Sequence, residues 1–207
     1  MIQRWHVALI VVLTTIAVGG CGPKPVSTFL HPEAAVVQIR GAASDRGPAA
    51  QGRGFVVSSD GLVITCANVV NGNRAVSVSM PDGKEVSADL VQEDRDSGVA
   101  ILRVSGKDLP ALRPYEDEIN PGLHVRVVGE GGISHGVFEN WENFGRDIAF
   151  NARIGPNDCG APLLADDGRV IGVVLGHFEG RPSESRAAPM WQVLKLMPTL
   201  KAPSLTQ

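Results

Sequence analysis

The chain has 207 residues, of which 43% are hydrophobic and 20% charged, with a formal net charge of −3 at pH 7. That balance fits one globular unit and gives no electrostatic footprint for nucleic acid. Twenty-four glycines and fourteen prolines call for many turns, and hence for many short strands.

In chain order, residues 1–20 read as a targeting segment. Arg4 is the lone early positive charge, and Trp5 to Val18 is an apolar run interrupted by His6 and two threonines. The run is about 14 residues long, short of the ~20 that a membrane span needs. Val18-Gly19-Gly20-Cys21 resembles a lipobox, the site at which bacterial lipoproteins are cleaved before a cysteine that is then acylated. The expectation is a signal peptide over 1–20, a lipidated Cys21, a tether over 21–32 that includes His31, and a location in the bacterial cell envelope facing the periplasm or exterior. More than one acyl chain at Cys21 would satisfy the two-signal requirement for stable anchoring.

The body begins near Glu33. Ala35 to Arg40 reads as a strand and Ala43 to Gln51 as a polar loop. Gly52-Arg-Gly-Phe-Val-Val-Ser-Ser-Asp60-Gly61-Leu-Val-Ile-Thr65 reads as a β-hairpin around an Asp-Gly turn, followed by Cys66-Ala67-Asn68-Val69-Val70. Ala75 to Met80 alternates with period two, Pro81-Asp82-Gly83 is a turn, and Val86 to Gln92 is another strand. Asp94-Arg-Asp-Ser-Gly98 then leads into the apolar run Val99 to Leu102. In the second half, Val125 to Val128 runs into the turn Gly129 to Gly132. Further strands are expected around Gly136 to Phe138, Asp147 to Phe150, Val170 to Leu175 and Ala187 to Pro189, and Met190 to Met197 is amphipathic.

The chemistry-bearing stretch is Gly155-Pro156-Asn157-Asp158-Cys159-Gly160-Ala161-Pro162-Leu163-Leu164. A tight Gly/Pro/Asn/Asp turn presents one side chain while its N–H groups point inward, which suits a nucleophile with an oxyanion hole and equally suits a plain hairpin corner. With its flank from Asn151 to Val174, the segment resembles the nucleophile region of trypsin-like serine proteases of the HtrA/Deg branch: Asp-Ala-x-Ile-Asn-x-Gly-Asn-Ser-Gly-Gly-Pro-Leu, then Asp-Gly-x-Val-Ile-Gly. The hairpin from Gly52 resembles the same branch's Gly-Ser-Gly-Phe-x-x-Ser-x-Asp-Gly-x-x-x-Thr-x-x-His-Val-Val. The segment from Asp94 resembles its Asp-x-x-x-Asp-Ile-Ala-Val-Leu-Lys-Ile.

That resemblance implies an all-β fold of two antiparallel six-stranded β-barrels with a short C-terminal helix. The peptidase domain would cover 33–200, with barrel 1 at about 33–110, barrel 2 at about 118–189, a helix at about 190–198 and a tail at 201–207. No PDZ domain is expected to follow. It also sets Cys159 at the serine position, Asn68 at the histidine, Gly98 at the aspartate and Asn157 at a glycine whose N–H helps bind the oxyanion. Ala161 takes the place of a further glycine, and Leu175 the place of a serine near the triad carboxylate. Asp96 would replace Gly98 only through a register shift. Asn157 is expected to weaken the hole, because the turn position favours glycine.

An amide accepts no proton near neutral pH and glycine orients nothing, so these positions read as non-functional in proteolysis. Two function classes follow: a lipid-anchored pseudoprotease that binds a peptide or an envelope protein, or a hydrolase using Cys159 as nucleophile with an unorthodox base. His177 and His135 are the groove-side histidines and His124 lies on a barrel-2 strand. No cluster has metal-ligand spacing, and no cofactor is implied. In the resembled fold the backbones of Cys66 and Cys159 approach each other, which leaves a disulfide or two unpaired thiols as alternatives.

Overall fold

The computed structural model describes residues 31–197. The expected signal peptide, Cys21, most of the tether, His6 and the tail fall outside the described residues.

A short 3-10 turn at Pro32–Ala35 leads into β1 (Val36–Gly41), β2 (Ala50–Val56), β3 (Leu62–Cys66), β4 (Ala75–Ser79), β5 (Glu85–Asp94) and β6 (Val99–Val104). These close into an antiparallel barrel in the order β1-β2-β3-β6-β5-β4. The second barrel comprises β7 (His124–Gly129), β8 (Gly132–Glu142), β9 (Asp147–Phe150), β10 (Pro162–Ala165), β11 (Val170–Phe178) and β12 (Arg181–Pro189), closed in the order β10-β11-β12-β9-β8-β7. The fold is therefore the pair of six-stranded barrels that the sequence motifs imply. Among the described residues two α-helices complete it, α1 (Ala67–Val70) and α2 (Met190–Leu196). The expected loop from Ala43 to Gln51 is shorter than its composition suggested. The β1–β2 ladder continues to the pair Gly41↔Ala50 and draws Ala50 and Gln51 into strand.

The turns have local causes. Between β2 and β3, Gly61 adopts φ 100°, where a side chain would be strained. Ser58 Oγ accepts the N–H of Leu62 at 3.0 Å and donates to Asp60, whose carboxylate also receives Arg103 at 2.7 Å. Those side chains set the hairpin register, and with it the end of β3 where Cys66 and Asn68 emerge.

The barrels share one core. Phe55, Ile64, Ile101 and Leu112 of the first half pack with Val128, Leu164, Val170 and Val173 of the second. Helix α2 seals this seam with Met190 and Val193, and Met197 at its C-terminal end follows four residues later, on the same helical face. Separate interiors fill each barrel, around Val63, Leu102 and Val78 in one and Phe138, Phe150 and Leu163 in the other. Burying side chains of this size stabilises by about 1.5–3 kcal/mol each, so the shared core fixes how the loops of both barrels meet.

Candidate active site

The turn from Gly155 to Ala161 is held by Asp158, a carboxylate only 5% exposed. Its Oδ1 accepts the N–H of Glu130 and its Oδ2 that of Gly155, both at 2.7 Å. Two N–H donors make a buried carboxylate tenable. The side chain also fills the space over Gly129, where any Cβ would lie 2.6 Å from Oδ2. Asn157 Nδ2 donates to Glu130 Oε2 at 2.8 Å, tying the same turn to the β7–β8 corner. Sequence reasoning did not single out Asp158. An aspartate within a Gly/Pro/Asn turn was its one signal, and its partner Glu130 lies 28 residues away.

The turn is pressed against the first barrel. The N–H of Arg53 donates to Cys159 O at 2.8 Å, and a Cβ on Gly52 would stand 2.5 Å from that oxygen. Gly160 has φ 90°, and a Cβ there would overlap the Arg53 carbonyl oxygen. Its N–H donates to Val174 O at 2.7 Å, while Ala161 N–H donates to Asp158 O at 2.9 Å. These close approaches place Cys159 at the junction between the barrels, half-buried, beside the end of β3.

At that junction Cys159 is bonded to Cys66, with Cα atoms 6.0 Å apart. The Leu175 carbonyl oxygen lies 3.5 Å from Cys159 Sγ, a contact rather than a hydrogen bond because the bonded sulfur carries no proton. Asn68 lies one residue into α1 and is exposed. Gly98 sits at φ 73°, and its carbonyl accepts the N–H of Ala67 at 2.8 Å. A Cβ at position 98 would meet Leu175 Cδ2 at 3.2 Å, so leucine fills the place where a carboxylate would point. The β3–β6 ladder, with Cys66↔Val99 and Thr65↔Ala100, leaves Gly98 immediately before β6. Asp96 stays in the exposed turn, its N–H donating to Asp94 Oδ1 at 3.2 Å.

Cys159, Gly98 and the Cys66–Asn68 segment thus meet at one junction, while the Asn157 side chain bonds Glu130 at the β7–β8 corner. A disulfide sulfur is no nucleophile toward a carbonyl, and an exposed amide is no base. The three histidines of the second barrel lie elsewhere on its strands. His177 and His135 are exposed, on β11 and β8, cross-strand from Ser185 and Arg126. His124 Nδ1 is 4.0 Å from Asp166 Oδ2.

One expectation is corrected here. Among the described non-glycine residues, positive φ occurs at Asn71, Asp108, Asn143 and Phe144 and not at Asn157. The backbone at 157 is one that any residue adopts, because the left-handed step of the turn falls at Gly160. The stated reason for a weakened oxyanion hole therefore does not hold. The turn's own hydrogen bonds use the N–H groups of Gly155, Asp158, Gly160 and Ala161, and those of Asn157 and Cys159 are not among them.

Comparison with known proteins agrees with this architecture. The structure is similar to a serine endoprotease from Yersinia pestis, with TM-score 0.71 and 21% identity, covering 81% of this chain and 62% of that one. It is equally similar to the HtrA-type protease AlgW solved with a tripeptide, with TM-score 0.70 and 23% identity, covering 81% and 60%. In sequence, a probable periplasmic serine endoprotease, DegP-like, from Halomonas elongata is 35% identical over 134 residues, 59% of this chain and 28% of that protein. One of the same description from Ectopseudomonas mendocina is 32% identical over 166 residues, 73% of this chain and 35% of that protein. The chain spans about a third of the length of these curated relatives. Residues 52–173 match the family model described as trypsin-like peptidase domain. That match reaches from the hairpin before Cys66 to the middle of β11, and with the paired barrels it shows that the chain belongs to the trypsin-like peptidase domain family, in its HtrA-like form.

Proposed function

We propose that this protein is a proteolytically inactive member of its family, held at a bacterial membrane by lipid on Cys21, that binds an extended segment of a peptide or envelope protein. One observation carries the reading: the side chain at the nucleophile position is bonded to Cys66, while Asn68 and Gly98 stand at the base and orienting positions.

Binding has a structural basis in β11. β10 pairs with β11 as far as Pro162↔Val173, and the turn adds the bonds between Gly160, Ala161 and Val174. Beyond Val174, β11 has β12 as its one strand partner among the described residues, through Gly176↔Arg186 and His177↔Ser185. Its other edge offers backbone groups to an added strand, a mode that needs no catalytic group. The periplasmic location named for the bacterial relatives supports an envelope setting, and Val18-Gly19-Gly20-Cys21 supports the anchor. Mass spectrometry of membrane-extracted protein then finds a lipidated chain beginning at Cys21; a soluble chain cleaved elsewhere overturns the anchor.

The catalytic part is tested with casein and peptide substrates, with and without a reductant. Reduction frees a thiol that is a few per cent ionised near pH 7 when unperturbed, yet supplies no imidazole, and removing a triad's base costs on the order of 10⁴–10⁶ in rate. The expected outcome is no turnover in either condition, and none in Asn68→His, because Gly98 and Leu175 still leave an imidazole without a carboxylate. Robust turnover by the unmodified chain that disappears in Cys159→Ala would refute the proposal and establish the cysteine hydrolase in its place.

A further inference from the structure

A groove of about 530 Å³ opens on the second barrel, between the 115–119 segment, the outer part of β8 and α2. Cys159, Asn68, Gly98 and Leu175 do not line it. Its walls are aromatic: Tyr115, Trp141 and Trp191, with Trp141 39% and Trp191 42% exposed. Its rim is acidic: Glu116, Asp117 and Glu118 are consecutive, exposed and lining. Asp117 is neutralised by Arg169 at 2.5 Å, which also holds Asp167 at 2.7 Å. No ion pair among the described residues engages Glu116 or Glu118.

Two of the walls already carry cations. Lys195 Nζ lies 4.4 Å from the centre of the Trp191 ring, and Arg169 Cζ lies 4.5 Å from that of Tyr115. Ring faces are the negative part of an aromatic quadrupole, so both contacts are attractive. Three residues past Trp141, the β8–β9 tip carries a further aromatic ring, Phe144. There Asn143, Phe144 and Gly145 run left-handed at φ 51°, 56° and 80°, and Phe144 is fully exposed. Neither a left-handed phenylalanine nor a solvent-exposed ring is a resting preference of the chain. Gln192 Nε2 donates to the Arg146 carbonyl and so fixes this tip beside α2.

We propose that this groove is a second docking surface, separate from the β11 edge, that takes an extended segment of a partner protein bearing lysine or arginine. The aliphatic stem of a basic side chain lies along Tyr115, Trp141 and Trp191, and its cationic head reaches Glu116 and Glu118, the split that long basic side chains make between apolar and polar ground. Charge complementarity selects this occupant. Adjacent carboxylates repel an anionic lipid surface or an acidic peptide, and apolar walls alone would not distinguish charge.

The test uses the full chain and isothermal titration with an acetylated, amidated Lys-Leu-Lys-Leu-Lys peptide, its Glu-Leu-Glu-Leu-Glu counterpart and vesicles of anionic phospholipid. The basic peptide binds at least about tenfold more tightly than the acidic one, and raising NaCl to about 0.5 M weakens it severalfold. The double variant Glu116→Gln/Glu118→Gln weakens it about five- to tenfold at low salt, and Trp191→Ala about three- to fivefold. Both carboxylates are exposed, so the double variant keeps its fold and decides the matter even where Trp191→Ala unfolds. Equal binding of the two peptides, an unchanged double variant, binding confined to the vesicles, or self-association of the chain abolished by the same substitutions would each overturn the proposal. The groove substitutions leave the β11 edge and Cys159 unchanged, so binding lost in them belongs to the groove, and binding that persists in them belongs to that edge.

Discussion

The bond between Cys66 and Cys159 closes a loop across both barrels, with a sequence separation of 93. Constraining the unfolded chain over a loop near that length contributes about 4.7 kcal/mol in the chain-entropy account. For a domain of this size, each kcal/mol moves the melting temperature by roughly 2–4 °C, so reduction should lower it by about 9–19 °C. The fold itself should persist, because the shared core through Phe55, Leu112, Val170 and Val173, and the bond from Arg53 N–H to Cys159 O, do not depend on the sulfur link. Calorimetry of the same sample before and after reduction measures the shift. The double variant Cys66→Ala/Cys159→Ala should reproduce most of it, adding a small cavity term because Cys66 is 1% exposed. Alkylation of unfolded, unreduced protein followed by peptide mapping reports the bond directly, and both cysteines should stay unlabelled. Labelling of both cysteines, or a melting shift below about 2 °C on reduction, would refute the reasoning.

Two further outcomes test the packing of the Cys159 turn and the charges at the β2–β3 hairpin. Gly160→Ala places a Cβ on the Arg53 carbonyl and 2.5 Å from Thr65 Oγ1 at φ 90°, so it should destabilise by about 3–5 kcal/mol in denaturant titration, and a loss below about 1 kcal/mol sinks the claim that the turn is wedged between the barrels. The Asp60 carboxyl is held below its ordinary value by the Ser58 hydroxyl first and then by Arg103; a depressed folded value means stability present above about pH 4 and lost as pH falls through the folded value, so Asp60→Asn should flatten the acid limb modestly, and parallel pH profiles for the two proteins contradict this.

Much of this architecture is legible in the residues. Alternation in Ala75 to Ser79 and the Asp-Gly turns at Asp60-Gly61 and Asp82-Gly83 mark hairpins, because period and turn chemistry are local properties. The positions of Cys159, Asn68 and Gly98 follow from motif order, and the barrels bring them to one junction. Other features depend on contacts distant in sequence. Helix α1 spans four residues, too few to show a period. The direction in which Cys66 points is set by its pairing with Val99 on β6, and a disulfide requires direction as well as proximity. The left-handed step at Gly160, and not at Asn157, follows from the space left by Arg53 and Thr65, which belong to the other barrel. The exposed tip at Phe144 contradicts local preference outright, and such conflicts concentrate where a surface has work beyond folding.

The changes at the junction are coupled to one another. Gly98 occupies a backbone region that disfavours any side chain, at φ 73°, and Leu175 lies against the point where its Cβ would be. A carboxylate returned to position 98 would have to displace an apolar side chain that packs into both the inter-barrel core and the first barrel's interior. Cys66, two residues before Asn68, is tied to the one group that could attack a carbonyl. On the proposed inactive reading these residues agree with one another: without a base a carboxylate has nothing to orient, and without a carboxylate leucine is the better filler. The hydrogen bonds that shape the turn, through Asp158, Gly160 and the Arg53 N–H, meanwhile remain complete. The turn is thus complete in its hydrogen bonds and tied across the barrels by the disulfide, and the proposed binding edge along β11 needs only that the two barrels be held in register.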